Sequence, residues 1–257
     1  NIEIMPITKT YKKPSKSNMI SLTKKGKAFL TDRGITEEVI KNNKIVSTRN
    51  DKSILFPYFK DGQIINYKTR GIDGKSFTQS KDAESIIYNY DNCVDQKTIV
   101  ICEGEMDSLS WEVAGIESHT SVNMGAPNTQ DSNIDKKLEC LTNCYDIFKQ
   151  AEIIYIATDE DENGRNLQKE LIRRFESEKC LLVDLKPYKD ANEVLVHEGV
   201  ESLRNRLKSA LRPKKEGIFS VADVGESMID GFHNGQERGS TTYVREIDNA
   251  WTWRKIS

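Results

Sequence analysis

Apolar positions follow two rhythms along the chain, and each predicts a different kind of layer. Between residues 53 and 90 they form short runs rich in β-branched and aromatic residues, at 53–58, 64–69 and 86–90. Turn signals at Lys60-Asp61-Gly62 and Asp73-Gly74 punctuate this stretch, so a small, largely antiparallel sheet is expected. Ahead of it, helical spacing covers 23–33 and again 36–42. In the second stretch Thr36 can act as a cap, and Glu37 and Glu38 suit the positive end of a helix. From Thr98 the rhythm changes. Residues 98–102 and 152–157 are continuous apolar runs, as expected of strands covered on both faces in a parallel sheet. Shorter strand candidates follow at 119–122 and 180–185. Helical stretches over 106–114, 134–149 and 163–175 separate them, the first closed by Gly115. Strands alternating with helices predict an α/β domain whose sheet is mainly parallel. A linker is expected near 212–217. Helical spacing returns over 221–232, before Gly235 and Gly239 mark irregular chain.

Composition narrows the class. The chain has 257 residues, 37% hydrophobic and 30% charged, enough for one packed α/β domain with a smaller companion and too polar for a membrane protein. No apolar run approaches the roughly 18–20 residues of a membrane-crossing helix. Residues 1–17 are basic and polar, unlike a secretory signal. The missing initiator Met and the stop at Ser257, within an apolar-aromatic stretch, read as a piece of a longer protein. Cys93, Cys102, Cys140, Cys144 and Cys180 are scattered, with no His placed to complete a zinc set. They read as buried thiols of a reducing compartment, and no zinc is expected. The net charge of −2 hides an asymmetry: Lys and Arg outnumber Asp and Glu by 17 to 10 over residues 1–93, and are outnumbered 14 to 23 over 94–211. A basic segment beside an acidic one suits a polyanion surface next to a metal site.

The acidic residues are concentrated where chemistry is expected. In open α/β sheets, ligands gather at the carboxyl ends of strands. Glu103-Gly104-Glu105-Met106-Asp107 follows the first buried run, and Thr158-Asp159-Glu160-Asp161-Glu162-Asn163-Gly164-Arg165 follows the second. Asp159 and Asp161, two apart, point to one side of an extended segment, and Glu103 faces them if the strands are neighbours. Carboxylates packed together repel unless a cation neutralises them. Magnesium does so with one or two carboxylates, keeping water and phosphates as its other ligands. The alternative is a pair of solvated acidic turns. Glu105 and Asp107 also suit a helix N-terminus on dipole grounds alone, which leaves Asp107 a structural reading and Glu105 a supporting one.

The strand-end Glu103-Gly104 followed by a strand-end Asp159-Glu160-Asp161 resembles the TOPRIM signature of DnaG-type primases, topoisomerases and some nucleases. Lys189-Asp190-Ala191-Asn192-Glu193 is similar to the fused primase–helicases of T-odd phages and the Twinkle group. The stretches around Leu55-Phe56-Pro57-Tyr58, Lys68-Thr69-Arg70 and Lys75-Ser76-Phe77 resemble the basic subdomain that precedes TOPRIM in these primases. Gly239 to Asp248, with Trp251 and Trp253, resembles the lead-in to a RecA-like helicase domain, although no phosphate-binding loop is present. The phage enzymes carry a cysteine-rich zinc module ahead of this region, and no Cys precedes Lys52.

The resemblance implies a TOPRIM α/β domain preceded by a small basic α+β subdomain, with divisions at 1–96, 97–211 and 212–257, the last a linker helix and the start of a helicase domain. It implies RNA primer synthesis by two-metal nucleotidyl transfer, with Glu103, Asp159, Asp161 and Asp190 as metal ligands. Magnesium is the expected ion, with manganese able to substitute. Lys68 and Arg70 would stabilise phosphate charge, and Lys68, Arg70, Lys75, Arg165 and Lys189 would meet nucleotide or template. Lys68 and Arg70 could instead form a solvated strand face, and Arg165 could cap its acidic neighbours. Expected partners are single-stranded DNA, ribonucleoside triphosphates, a helicase domain in cis and, for the full protein, a ring oligomer. No membrane is expected. The compartment would be a bacterial host cytoplasm or an organelle matrix. The alternatives are a TOPRIM nuclease and a docking module for single-stranded DNA.

Overall fold

The computed structural model describes residues 9–74, 76–128, 131, 133–214, 229 and 233. Residues 1–213 form one compact unit, and a second unit begins at Lys214. In chain order the elements are β1 (Met19–Ile20), α1 (Lys24–Thr31), α2 (Glu37–Asn42), β2 (Val46–Thr48), β3 (Ser53–Lys60), β4 (Gln63–Gly71), β5 (Phe77–Gln79) and α3 (Tyr90–Cys93). They continue with β6 (Thr98–Cys102), α4 (Glu105–Val113), β7 (His119–Ser121), α5 (Ile134–Lys137), α6 (Glu139–Asn143) and α7 (Tyr145–Gln150). The last described elements are β8 (Ile153–Ala157), α8 (Glu162–Phe175), β9 (Cys180–Leu182) and α9 (Ala191–Lys208).

The first sheet has the order β1-β2-β3-β4-β5 and is antiparallel throughout. Its centre is the β3–β4 hairpin, closed between Lys60 and Gln63. Asp61 and Gly62 both take positive φ there, 53° and 70°, as a two-residue hairpin turn requires and as Asp-Gly allows. Thr23 and Thr36 cap α1 and α2, accepting from the amides of Gly26 and Val39. The second sheet has the order β7-β6-β8-β9, with every pair parallel. Central β6 and β8 are largely buried, as their unbroken apolar runs predict.

Two expected elements are different. Residues 86–90 are not a strand: Ile86, Ile87 and Tyr88 are buried, but Asn89 turns left-handed at φ 54° and starts α3. The segment is tied to β7 by the Tyr88 amide donating to Ser121 and the Thr120 hydroxyl donating to the Tyr88 carbonyl. Burial without alternation therefore marked a core-filling connection. The helix expected over 134–149 is three short ones. Leu138 and Cys144, both buried, take φ/ψ of −99°/22° and −114°/19° and break it. Burying Leu138, Cys140, Leu141, Cys144, Ile147 and Phe148 outweighs one straight hydrogen-bond ladder here. The patterning did not predict β1, β2, β5, α3 or α9. The last is an 18-residue helix bent at Gly199, whose φ is 83°. Apart from Ile229, the helix expected over 221–232 and the residues Trp251 and Trp253 lie outside the described residues. Among the described residues no helix is long and apolar enough to cross a membrane. All five cysteines are free and buried.

Phe148 of α7 stacks on Phe175 of α8 with ring centroids 4.3 Å apart, locking the helices on either side of β8. Phe148→Ala is expected to destabilise the chain by about 3–5 kcal/mol, as large-to-small core changes do. Urea unfolding at unchanged m-value would measure it; a loss below about 1 kcal/mol would mean that the site collapses freely.

Candidate active site

Parallel pairing of β6 with β8 sets Cys102 opposite Ala157. The next residues of both strands therefore leave the sheet side by side, bringing Glu103 near Asp159. A cavity of about 630 Å³ opens there, lined by Glu103, Asp107, Asp159, Lys189 and Asp190 from the parallel-sheet side and by Lys68, Arg70 and Phe77 from the antiparallel sheet. Gly164, at the start of α8, makes the loop possible. A Cβ on it would lie 1.9 Å from the Asp159 carbonyl oxygen, so only glycine lets the helix begin this close behind the carboxylate.

The carboxylates divide into two groups. Asp159 and Asp161 share one cation: Lys189 Nζ lies 3.1 Å from an oxygen of each. The other Asp161 oxygen accepts from the Gly164 amide and caps α8. Burial pushes Asp159 up to about 6 despite Lys189. Burial also acts against the Asp161 charge, but the Gly164 amide and Lys189 together hold this more exposed group below its usual range. Burial, then the Asp159 charge, push Glu103 up to about 7, and its Oε2 is buried with no hydrogen-bond partner among the described residues. The second group is Asp107 and Asp190. Burial, then Asp190, raise Asp107 well above the carboxylate range, and burial raises Asp190 as well. Asp107 accepts from the Asn192 amide, and Asp190 caps α9 by accepting from the Glu193 amide.

The cationic residues take different places. Lys68 is not on a solvated face: it forms a buried ion pair with Glu105 at 2.9 Å, and the Tyr58 hydroxyl donates to the same carboxylate. Arg70 makes none of the described ion pairs. Its guanidinium lies 5.5 Å from the Phe29 ring centre and 5.6 Å from that of Phe77, and burial lowers its pKa. Arg165 is exposed and donates to the Glu160 carbonyl, outside the cavity lining. Lys75 lies outside the described residues. Sequence reasoning missed the Tyr58–Lys68–Glu105 contact and the role of Asn192, whose side chain donates to the Arg33 carbonyl and to Ser110. One signal was available for Lys68: Asn66, Lys68 and Arg70 put polar groups on one face of β4 at a period of two, and Asn66 and Lys68 are buried.

The donor set is all carboxylate oxygen, which suits a hard divalent cation and not zinc. Glu103 Oε2 is a buried acceptor with no partner among the described residues, and Lys189 shows that the Asp159–Asp161 pair accepts a positive charge. Among the described residues no three His, Cys, Asp or Glu side chains form a ready ion cage.

Ser108, His119 and Glu112 form a hydrogen-bonded series, 2.6 Å and 3.2 Å long, that resembles a nucleophile triad. Ser108 and His119 are fully buried, so no substrate reaches them. The series braces α4 against β7 and, through Asn42 and Asn43, against α2.

A sequence family described as Toprim-like matches residues 100–195. The chain is 31% identical over 241 residues to the Twinkle homolog protein, chloroplastic/mitochondrial, of Arabidopsis thaliana, covering 87% of this chain and 34% of that protein. It is 34% identical over 196 residues to the Arabidopsis primase homolog protein, covering 71% of this chain and 58% of that one. The chain thus spans about a third and somewhat over half of these two relatives. Among solved structures it is similar to a chain from the bacteriophage T7 lagging-strand DNA polymerase interacting with primase domains of two gp4 subunits bound to an RNA/DNA hybrid and dTTP. That match has 26% identity and a TM-score of 0.62, and covers 79% of this chain and 100% of that one. The parallel sheet and its flanking helices have a TOPRIM fold, and these likenesses support a primase domain of the primase–helicase type.

Gly164→Ala is expected to cost roughly 3 kcal/mol or more, because the clash is with backbone; a thermal melt within a degree or so of wild type would show that the loop can shift. A second expectation concerns pH. Glu103 and Asp159 keep protons to higher pH when folded than in the unfolded chain, where carboxyls titrate near pH 4. The native state then binds more protons between roughly pH 4 and 7, and these groups' contribution to stability falls as pH rises through that window. Without divalent ions, the melting temperature should fall from about pH 5 to about pH 8, and less steeply in Glu103→Gln. Equal slopes in the two proteins would contradict the raised Glu103 pKa.

Proposed function

We propose that this TOPRIM chain of the primase–helicase type makes short RNA primers on single-stranded DNA by metal-assisted nucleotidyl transfer, as the primase part of a longer replicative protein. The observation that carries this reading is the meeting of Glu103 and Asp159 at adjacent strand ends in a cavity whose far side carries Arg70 and Lys68. Carboxylates alone would repel a triphosphate. Facing cations give it a place to bind.

Glu103, Asp159 and Asp161 would hold magnesium, or manganese in its place, with Asp190 beside them. When bound, the ion would supply Lewis-acid stabilisation of phosphoryl charge and acidify the attacking hydroxyl. Arg70, desolvated and held near two aromatic rings, would meet phosphate oxygens directly, where a water-poor site strengthens the contact. Lys68, committed to Glu105, would fix the start of α4 and add positive potential. Phe77, half exposed at the cavity edge, would cover a base.

Likeness to a primase homolog supports the reading, as does likeness to primase domains seen with an RNA/DNA hybrid and dTTP. Likeness to a Twinkle homolog supports a helicase partner in cis and, since that protein is named as chloroplastic/mitochondrial, an organelle matrix. A ring oligomer of the full protein and the divisions at 96/97 and 211/212 belong to the same proposal.

The test is primer synthesis on mixed single-stranded DNA with labelled ribonucleotides and magnesium, comparing wild type with Asp159→Asn/Asp161→Asn. Product is expected from wild type, with at least about a 100-fold loss in the variant, the scale of removing a preorganised electrostatic group. Cleavage of the template would instead make the chain a nuclease. Binding of DNA that is indifferent to magnesium and falls steeply with salt would make it a docking module.

A further inference from the structure

We infer that Lys189 is a tethered counter-ion occupying the position between Asp159 and Asp161, and that a divalent cation binds there only after this side chain swings out. Lys189 thereby sets the metal affinity of the site. The inference rests on the metal-site reading above and concerns the residue that competes with the ion.

Three observations support it. First, the lysine holds the very oxygens that an ion would need. Asp161 Oδ1 is committed to the Gly164 amide, leaving Oδ2, and that Oδ2 and Asp159 Oδ2 each lie 3.1 Å from Lys189 Nζ. Secondly, the backbone of Lys189 is pinned while its side chain has an exit. Its carbonyl accepts from the Glu160 amide at 2.7 Å, and its amide donates to Glu193 at 2.9 Å. The side chain is 46% exposed, so it can move to water without disturbing the start of α9. Thirdly, the pair needs a cation. Asp159 is buried, with Glu103 and Asp190 nearby, and like charges this close strongly oppose one another. A tethered ammonium satisfies them while the site is empty, and a doubly charged ion replaces it because its attraction to both carboxylates is greater.

A competitor that fills the site most of the time lowers apparent affinity by the fraction of molecules in which the site is free. If Lys189 is displaced in about one molecule in ten, Lys189→Met should bind metal about tenfold more tightly. Manganese binding to the 257-residue chain, followed by the loss of the free-ion paramagnetic resonance signal, measures this without any assay of activity. Wild type, Lys189→Met, Lys189→Arg and Asp159→Asn/Asp161→Asn should be titrated in parallel.

The expected order is Lys189→Met tightest, wild type next, Lys189→Arg no tighter than wild type, and the double Asn variant weakest. Melting temperature gives a second readout that also detects misfolding. Lys189→Met should melt lower than wild type in chelator and gain more from manganese. Equal affinity in wild type and Lys189→Met, with the double Asn variant weaker, would overturn the role of Lys189 and leave the metal site standing. No difference between wild type, Lys189→Met and the double Asn variant would overturn both. Tighter binding by Lys189→Arg than by wild type would also overturn the inference, since the guanidinium retains the competing charge.

Discussion

The register of two parallel strands governs everything else in this site. With Cys102 of β6 opposite Ala157 of β8, the residues that follow must emerge together, and they are acidic on both sides. A shift of one residue would turn Glu103 away from Asp159 and send its side chain to the other face. Buried apolar runs on both strands make such a slip costly. The hydrophobic core therefore holds like charges together that would otherwise separate.

Those charges are compensated in layers. Lys189 bridges the outer pair, Lys68 and the Tyr58 hydroxyl neutralise Glu105, and backbone amides at the starts of α8 and α9 meet Asp161 and Asp190. Glu103 and Asp107 are left with the least compensation, and burial pushes both pKa values upward. Carboxyls raised in this way and gathered in one cavity are a feature of functional sites, where perturbed pKa values cluster.

The antiparallel sheet is part of the site as well as its neighbour. Its β3 and β4 send Tyr58 and Lys68 into α4, and Asn192 ties α9 to α4 and to the chain after α1. A buried ion pair such as Lys68–Glu105 adds little net stability, but removing one partner leaves the other charge stranded. Its value here is positional: it fixes the helix that starts two residues after Glu103.

The sequence by itself determined the buried strands, the Asp-Gly hairpin turn, the cap at Thr36, and the two acidic strand ends. Each of these follows from side-chain periodicity or from the φ preference of a few adjacent residues, so neighbours along the chain suffice to specify it. Tertiary structure decided that residues 86–90 are a core-filling connection and that 134–149 breaks at Leu138 and Cys144, because burying their apolar side chains outweighs local propensity. It also chose the partners of the charges. Lys68 meets Glu105, Lys189 meets Asp159 and Asp161, and Arg165 turns to a carbonyl. A charged side chain carries no periodic signal of its partner. Lys189 and Asp159 are far apart in the chain, and only the folding of strands and helices around them determines that the two charges face one another.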